Sequence, residues 1–127
     1  MTDSVKFLGF RRDVREIIQC FDVQVFPGYR EGTPNTLYEA LAVGNAIVAS
    51  RVDGQAEILE NEKTALMFEA GDVDMLAKHI LRVLQTPELM AGLRAAAKKR
   101  SQDFDGMRCI DTIQQLYERI VREWDLG

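Results

Sequence analysis

Two glutamates eight positions apart, Glu31 and Glu39, are the side chains of this sequence best suited to bind the hydroxyl groups of a ligand. Glu31 lies in a loop rich in glycine and proline, and Glu39 falls about one turn into a helical segment that follows Pro34. A carboxylate accepts hydrogen bonds from hydroxyls and repels phosphate. Taken alone, the pair is more simply interpreted as two solvated surface side chains, since most charged side chains are exposed.

The backbone around this pair is suited to bind an anion. Gly28 and Gly32 permit a close approach of a ligand to the main chain. The predicted helix starts near Asn35, so Asn35, Thr36 and Leu37 would expose N–H groups at an end that favours negative charge. Phosphate on the amides and hydroxyls on the carboxylates together describe a nucleotide sugar, which we therefore expect as the ligand.

Strand-like and helical segments alternate along the chain. Apolar segments predict strands at residues 5–8, 23–26, 46–50 and 64–68, and helical spacing predicts helices at 12–20, 35–43 and 56–60. Three further amphipathic helices would follow, with Trp124 holding the last one on the sheet. This alternation predicts an α/β fold, with a parallel sheet of about four strands and helices on both faces. Ligands of such sheets bind beyond the carboxyl ends of the strands.

The composition limits the function classes. The 127 residues suit a single domain, and 46% hydrophobic with 28% charged residues excludes a disordered or fibrous chain. A net charge of −4 argues against a nucleic-acid partner, and no apolar run is long enough for a transmembrane segment. Two distant cysteines, Cys20 and Cys109, favour reduced thiols and a cytoplasmic protein. With only His79 beside them a His/Cys metal site is not expected, whereas a carboxylate-only metal site stays open.

A resemblance to a known family is carried by the segment FPGYREGTPNTLYEALAVGNAIVASRVDGQAEIL. It resembles the signature of retaining GT-B glycosyltransferases of the glycogen-synthase-like, or group 1, superfamily. Glu31 and Glu39 match that family's glutamate pair, and Glu57 matches a later glutamate. VKFLGF, AGDVDMLAKHI and the last helix extend the similarity over nearly the whole chain. The resemblance implies a Rossmann-like single domain over residues 1–127, an incomplete half of a GT-B fold, with alternation to about residue 70 and three helices over about 72–124.

The resemblance also implies roles for individual residues. Glu31 would be the catalytic-site residue, bonded to hydroxyls of the donor sugar near the reacting carbon. Glu39 would bind the ribose, and the amides of Thr36 and Leu37 would hold the diphosphate. The residues implied to bind the donor, of which the first three would lie beside the base, are Gly9, Phe10, Arg11, Gly32, Thr33, Pro34, Asn35, Thr36, Leu37 and Glu39. The family transfers sugar from a UDP- or GDP-sugar donor with retention, usually without a metal, and no other cofactor is implied.

The sequence departs from the family pattern at three places. Gly28 stands where serine is usual, Asn45 where proline is usual, and Asp53-Gly54 where Gly-Gly is usual. A full enzyme has two Rossmann-like domains, so this chain would begin partway through the second and lack the acceptor domain of the parent chain. The first two strands of the second domain would also be missing, and with them a glycine-rich loop and the Arg and Lys that clamp the diphosphate, so we expect the isolated chain to be inactive.

Two other classes of function compete with this one. A non-catalytic nucleotide-binding or protein-interaction module with the same fold would also fit the departures and the missing cations. A phosphoacceptor signalling domain is disfavoured, because Gly9-Phe10-Arg11-Arg12 and Arg51 stand where it needs acidic residues. The strands missing from the chain would leave an exposed sheet edge, which we expect to favour a homo-oligomer.

Overall fold

The chain forms a parallel sheet with helices on both faces. The structure is a computed structural model that describes residues 4–30, 32 and 34–125. In this part of the chain the strands are β1 (Val23–Phe26), β2 (Ala46–Ser50) and β3 (Leu66–Phe68), paired in the order β1-β2-β3. The helices are α1 (Val14–Ile18), α2 (Asn35–Val43), α3 (Asp53–Ala56), α4 (Val73–Gln85), α5 (Pro87–Ser101) and α6 (Gly106–Asp125).

The core consists of two apolar layers that share the central strand β2, in which every residue is buried. Ile47 and Ala49 point into the layer beneath α2, together with Leu41. Ala46 and Val48 point into the opposite layer, which is completed by α4 and α5. Side chains of a strand alternate between the two faces of a sheet, so an uninterrupted apolar strand requires cover on both sides. The predicted α/β fold with helices on both faces is confirmed.

The predicted strand at residues 5–8 is wrong, and the described sheet has three strands rather than about four. Phe7 is 97% exposed, and Val5 and Leu8 are each more than half exposed. A strand is stable only when a neighbour takes up its backbone hydrogen bonds and when one face is covered. In the described part of the chain β1 and β3 pair only with β2, so residues 5–8 have no partner strand. Their exposed side chains show that this segment has no covered face either.

Two other predicted elements are displaced by local turns. The short helix lies at Asp53–Ala56 rather than at 56–60. The strand predicted at 64–68, which is β3, starts at Leu66 rather than at residue 64, because Thr64 belongs to a turn. Its hydroxyl accepts a bond from the Glu60 N–H at 2.8 Å, and its own N–H donates to the Glu60 carbonyl at 3.0 Å.

Helix α2, which carries Glu39, begins and ends at the predicted residues. It starts after Pro34, which occupies the N-cap position with an extended backbone, at a φ of −73° and a ψ of 133°. It ends at Gly44, which has a φ of 82° and donates its N–H to the carbonyls of Ala40 and Leu41. This is the left-handed conformation that glycine adopts at helix ends without a steric penalty. Leu37, Ala40 and Leu41 are fully buried, and they fix this helix on the sheet.

Asn45 has a structural role that the proline usual at this position could not fill. Its side-chain amide donates to the carbonyl of Ile18 and to the side-chain oxygen of Gln24, both at 2.9 Å. Its backbone N–H, which a proline lacks, donates to the Ala40 carbonyl at 3.0 Å. Asn45 is 3% exposed and therefore joins α1, α2 and β1 from inside the protein.

We expect Asn45→Ala to lower the free energy of unfolding by about 1–3 kcal/mol, because it removes two buried hydrogen bonds and leaves the side-chain oxygen of Gln24 without the Asn45 donor, whereas the Ile18 carbonyl still accepts from the Phe21 N–H. Urea denaturation measures this change. Gln114→Ala is the control: its amide bonds only to Glu118 on the exposed surface of α6, and its loss should cost about 0.5 kcal/mol or less. Equal effects of the two substitutions would show that the buried Asn45 bonds do not stabilise the fold.

Helix α6 presents an apolar stripe to solvent. No residue over 106–124 is buried, and Trp124 is 81% exposed, so the prediction that it holds this helix on the sheet is wrong. The large apolar side chains of the stripe are Met107, Ile110, Ile113, Leu116, Tyr117, Ile120, Val121 and Trp124. Within the described residues, no helix combines the length and the apolar character required to cross a membrane.

Candidate functional site

The loop between β1 and α2, residues 27–34, is called the donor loop below. It lies at the carboxyl end of β1, where ligands of parallel sheets bind. Glu31 and Thr33, two of its predicted site residues, lie outside the described residues. Gly32 is exposed and Pro34 is half-buried. The described part of this loop is therefore accessible from solvent.

The N-terminus of α2 offers backbone donors to a ligand. Asn35 and Thr36, the first two residues of the helix, are exposed, and Pro34 before them has no side-chain group that could cap the helix. The N–H of Leu37 donates to the Pro34 carbonyl at 2.9 Å, and its side chain is fully buried. An anion at this end would therefore find its most accessible donors at Asn35 and Thr36, where the helix dipole favours negative charge.

Two contacts hold the start of the donor loop. The Ser50 hydroxyl, at the end of β2, donates to the Gly28 carbonyl at 2.6 Å. The Tyr29 ring lies over Gly71, so a Cβ on Gly71 would come within 3.2 Å of the Tyr29 Cε1 atom. Gly71 also has a φ of 91°, a conformation that glycine adopts most readily. The end of β2 and the segment after β3 thus restrain the loop before residue 31.

Glu39 lies in a cleft of about 500 Å³ between α1 and α2. It is half-buried, whereas Arg15 of α1 and Gln19, which directly follows that helix, line the same cleft and are exposed. Lys98 of α5 also lines the cleft and donates to the Ala42 carbonyl near the end of α2. A half-buried carboxylate beside open space can accept hydrogen bonds from ligand hydroxyls, as predicted for Glu39. Arg15 and Gln19 were not predicted for this site, because their position depends on the packing of α1 against α2.

The residues implied to lie beside a base form a separate segment before α1. Gly9 has a φ of 64°, and Phe10 is 92% exposed, so its ring is free to stack on an aromatic ligand. Arg11 pairs with Asp13 through its Nε at 2.8 Å and its Nη2 at 2.5 Å. Hydrogen bonding from Arg11 lowers the pKa of the Asp13 carboxyl below its usual value. Neither Phe10 nor Arg11 lines the Glu39 cleft.

A second cleft, of about 730 Å³, lies at the carboxyl ends of the strands and is lined in part by the donor loop, whereas no described residue of that loop lines the Glu39 cleft. An exposed ion pair crosses it, with 3.2 Å between the Arg51 Nε and the Glu69 Oε1 atoms. Glu69 directly follows β3, so the rule that selects strand ends could have identified it from the sequence. The lining residues are Tyr29, Arg30, Gly32, Arg51, Val52, Asp53, Glu69 and Ala70. Over residues 4–30, 32 and 34–124, no three potential metal ligands lie together.

The family model and the relatives that match this chain all describe glycosyltransferases. The family model described as "Glycosyl transferases group 1" matches residues 1–86. The chain is 30% identical over 119 residues to the N,N'-diacetylbacillosaminyl-diphospho-undecaprenol alpha-1,3-N-acetylgalactosaminyltransferase of Campylobacter jejuni, covering 94% of this chain and 32% of that enzyme. It is 28% identical over 114 residues to the UDP-Gal:alpha-D-GlcNAc-diphosphoundecaprenol alpha-1,3-galactosyltransferase of Escherichia coli, covering 90% and 30%.

Solved structures share the fold. Anabaena HepE in complex with UDP matches with a TM-score of 0.82 and 25% identity, covering 95% of this chain and 33% of that one. Sucrose-phosphate synthase from Thermosynechococcus elongatus matches with a TM-score of 0.87 and 27% identity, covering 95% and 31%. A second HepE structure contains UDP-glucose and matches with a TM-score of 0.80 and 26% identity, covering 93% and 32%. The chain thus spans about a third of the length of these relatives.

Proposed function

Because the chain belongs to the glycosyl transferases group 1 family, we propose that it is the donor-binding part of an enzyme that transfers sugar from a UDP-sugar with retention. The observation that carries this proposal is the position of Glu39. It is half-buried about one turn into α2, and the accessible N-terminus of this helix follows the loop at the carboxyl end of β1. We favour a UDP-sugar over a GDP-sugar as the donor. The structures of HepE contain UDP or UDP-glucose, and the Escherichia coli relative is named for UDP-Gal.

Each part of the donor has a partner in this proposal. The diphosphate would bind the amides of Asn35 and Thr36, because the helix dipole stabilises its charge there. The ribose hydroxyls would donate to Glu39, and Phe10 would stack on the base. Glu31 lies outside the described residues, so its role beside the donor sugar depends on its match to the first glutamate of the family pair.

The chemistry requires more than these residues. When the sugar leaves, negative charge develops on the nucleotide diphosphate, and preorganised donors or cations lower the barrier by stabilising that charge. The N-terminus of α2 supplies part of that stabilisation, whereas the family's cationic clamp would come from the rest of the parent enzyme. We therefore propose that the chain alone transfers no sugar, and that the acceptor domain of the parent enzyme is its partner. A cytoplasmic location and a homo-oligomer stay predictions.

The affinities for UDP and for uridine test this proposal, and isothermal titration calorimetry measures both. The α2 N-terminus binds phosphate in this account, and hydrogen bonds to charged groups contribute about 1.5–3 kcal/mol, so UDP should bind about 10- to 100-fold more tightly than uridine. GDP is the control for the base and should bind more weakly than UDP. Equal affinities for UDP and uridine would contradict a phosphate site at this helix.

A further inference from the structure

Ser50 makes a buried hydrogen bond to the donor loop. It is the last residue of β2, and its side chain is fully buried. Its Oγ atom lies 2.6 Å from the Gly28 carbonyl oxygen, 3.3 Å from that of Phe26 and 3.4 Å from the Gln55 side-chain oxygen. A hydroxyl has one proton to donate, and the shortest of these distances identifies Gly28 as its acceptor.

This hydrogen bond links β2 to the chain that follows β1, beyond the last paired residues of the two strands. The paired residues of β1 and β2 end with Phe26 opposite Ala49. Beyond that pair the donor loop leaves the sheet, and the Ser50 side chain takes over a link that backbone groups make within the sheet. Gln55, from the helix that follows β2, is also fully buried and lies against the same hydroxyl. The hydroxyl is therefore itself held in place.

We propose that Ser50 is a positioning residue that fixes the donor loop through the Gly28 carbonyl. Gly28 precedes Glu31 by three residues, and both Gly28 and Gly32 give the loop more backbone freedom than other residues would. The Tyr29 contact with Gly71 restrains the loop from the side, whereas the Ser50 bond sets the direction in which the chain leaves β1. This inference rests on the proposed function, because it assigns the loop to donor binding.

The expected consequence concerns the population of the binding-competent loop. If the loop samples several conformations without the Ser50 bond, the apparent affinity falls in proportion to the competent fraction. Removing one buried hydrogen bond of this kind should raise the Kd for UDP-glucose by about five- to tenfold. A substitution that destabilises the fold elsewhere should leave this Kd unchanged as long as the protein remains folded.

The experiment compares Ser50→Ala with Val83→Ala, which removes buried apolar atoms of α4 from the core layer that contains Ala46 and Val48. We expect Ser50→Ala to raise the Kd and to shift the carbonyl carbon resonance of Gly28, with lower backbone order parameters at Tyr29, Arg30 and Gly32. Val83→Ala should leave these loop signals and the Kd unchanged. Ser50→Cys keeps a side chain of similar shape with a weaker donor, and it should fall between the native chain and Ser50→Ala.

Two results would overturn this inference. One is a Kd for Ser50→Ala within about twofold of the native value, well below the loss expected from the hydrogen bond. The other is an equal loss of affinity in Val83→Ala, which would assign the effect to general stability. If the native chain does not bind UDP-glucose, the proposed function fails, and the Gly28 resonance and the loop order parameters alone decide whether Ser50 positions the loop.

Discussion

Replacing Glu39 by glutamine should weaken the binding of UDP-glucose by about 10- to 100-fold. The carboxylate is half-buried in the cleft between α1 and α2 and would accept hydrogen bonds from the ribose hydroxyls. Glutamine keeps the size of the side chain but removes its charge and turns one of the two oxygen acceptors into a donor. Calorimetric titration of both proteins with UDP-glucose measures the difference.

Glu88→Gln is the matched control for this substitution. Glu88 is an exposed residue in the first turn of α5, and it lines neither the Glu39 cleft nor the cleft at the carboxyl ends of the strands. It loses the same charge, so the control separates a change in net charge from the loss of a specific contact. The assignment of Glu39 to the ribose would be wrong if both variants bound UDP-glucose as the native chain does.

Leu41→Ala should lower the free energy of unfolding by about 2–5 kcal/mol. Leu41 is fully buried in the layer between α2 and the sheet, and its removal leaves a cavity beneath the helix that carries Glu39. Domains of this size are stabilised by about 5–15 kcal/mol in total, so the loss is a large part of the whole. Urea denaturation followed by far-ultraviolet circular dichroism gives the value.

Leu81→Ala makes the same chemical change at a residue that is 53% exposed on α4. We expect it to change the free energy of unfolding by about 0.5 kcal/mol or less, because little apolar surface is lost and no enclosed cavity forms. A similar loss in both variants would mean that α2 is not held on the sheet by the apolar layer described above.

Local signals in the sequence predicted α2 and β2 well. Pro34 and Gly44 mark the ends of α2, and both act through backbone preferences that do not depend on the rest of the protein. The uninterrupted apolar run of β2 predicted burial on both faces, which the two core layers confirm. These elements could be predicted because the deciding interactions lie within the segment or follow directly from its composition.

Residues 5–8 and the stripe of α6 could not be placed by the same reasoning. Periodicity shows which side chains share a face, but it does not show whether a neighbouring surface is present to cover them. Phe7 and Trp124 are both exposed, although their segments have the patterns of a strand and of a packed helix. The deciding partner in each case would be a part of the fold distant in sequence or outside this chain.

Only some residues of the candidate site could be predicted from the sequence. Glu39 stood out through its spacing and its helix, and the structure places it beside an open cleft. Arg15 and Gln19 share that cleft through the packing of α1, and Ser50 reaches the donor loop through the register of β1 and β2. Such contacts between segments far apart in the sequence cannot be derived from the spacing of residues along one segment.

The most direct test of the donor-site assignment is an NMR titration of the ¹⁵N-labelled chain with UDP-glucose. We expect saturable shifts of the amide signals of Gly32, Asn35 and Thr36, which the Glu39→Ala variant should lose over the same range of ligand concentration. Such shifts would place the diphosphate at the N-terminus of α2 and the nucleotide beside Glu39. Unchanged amide signals at millimolar UDP-glucose would contradict the claim that this chain forms a donor-binding site.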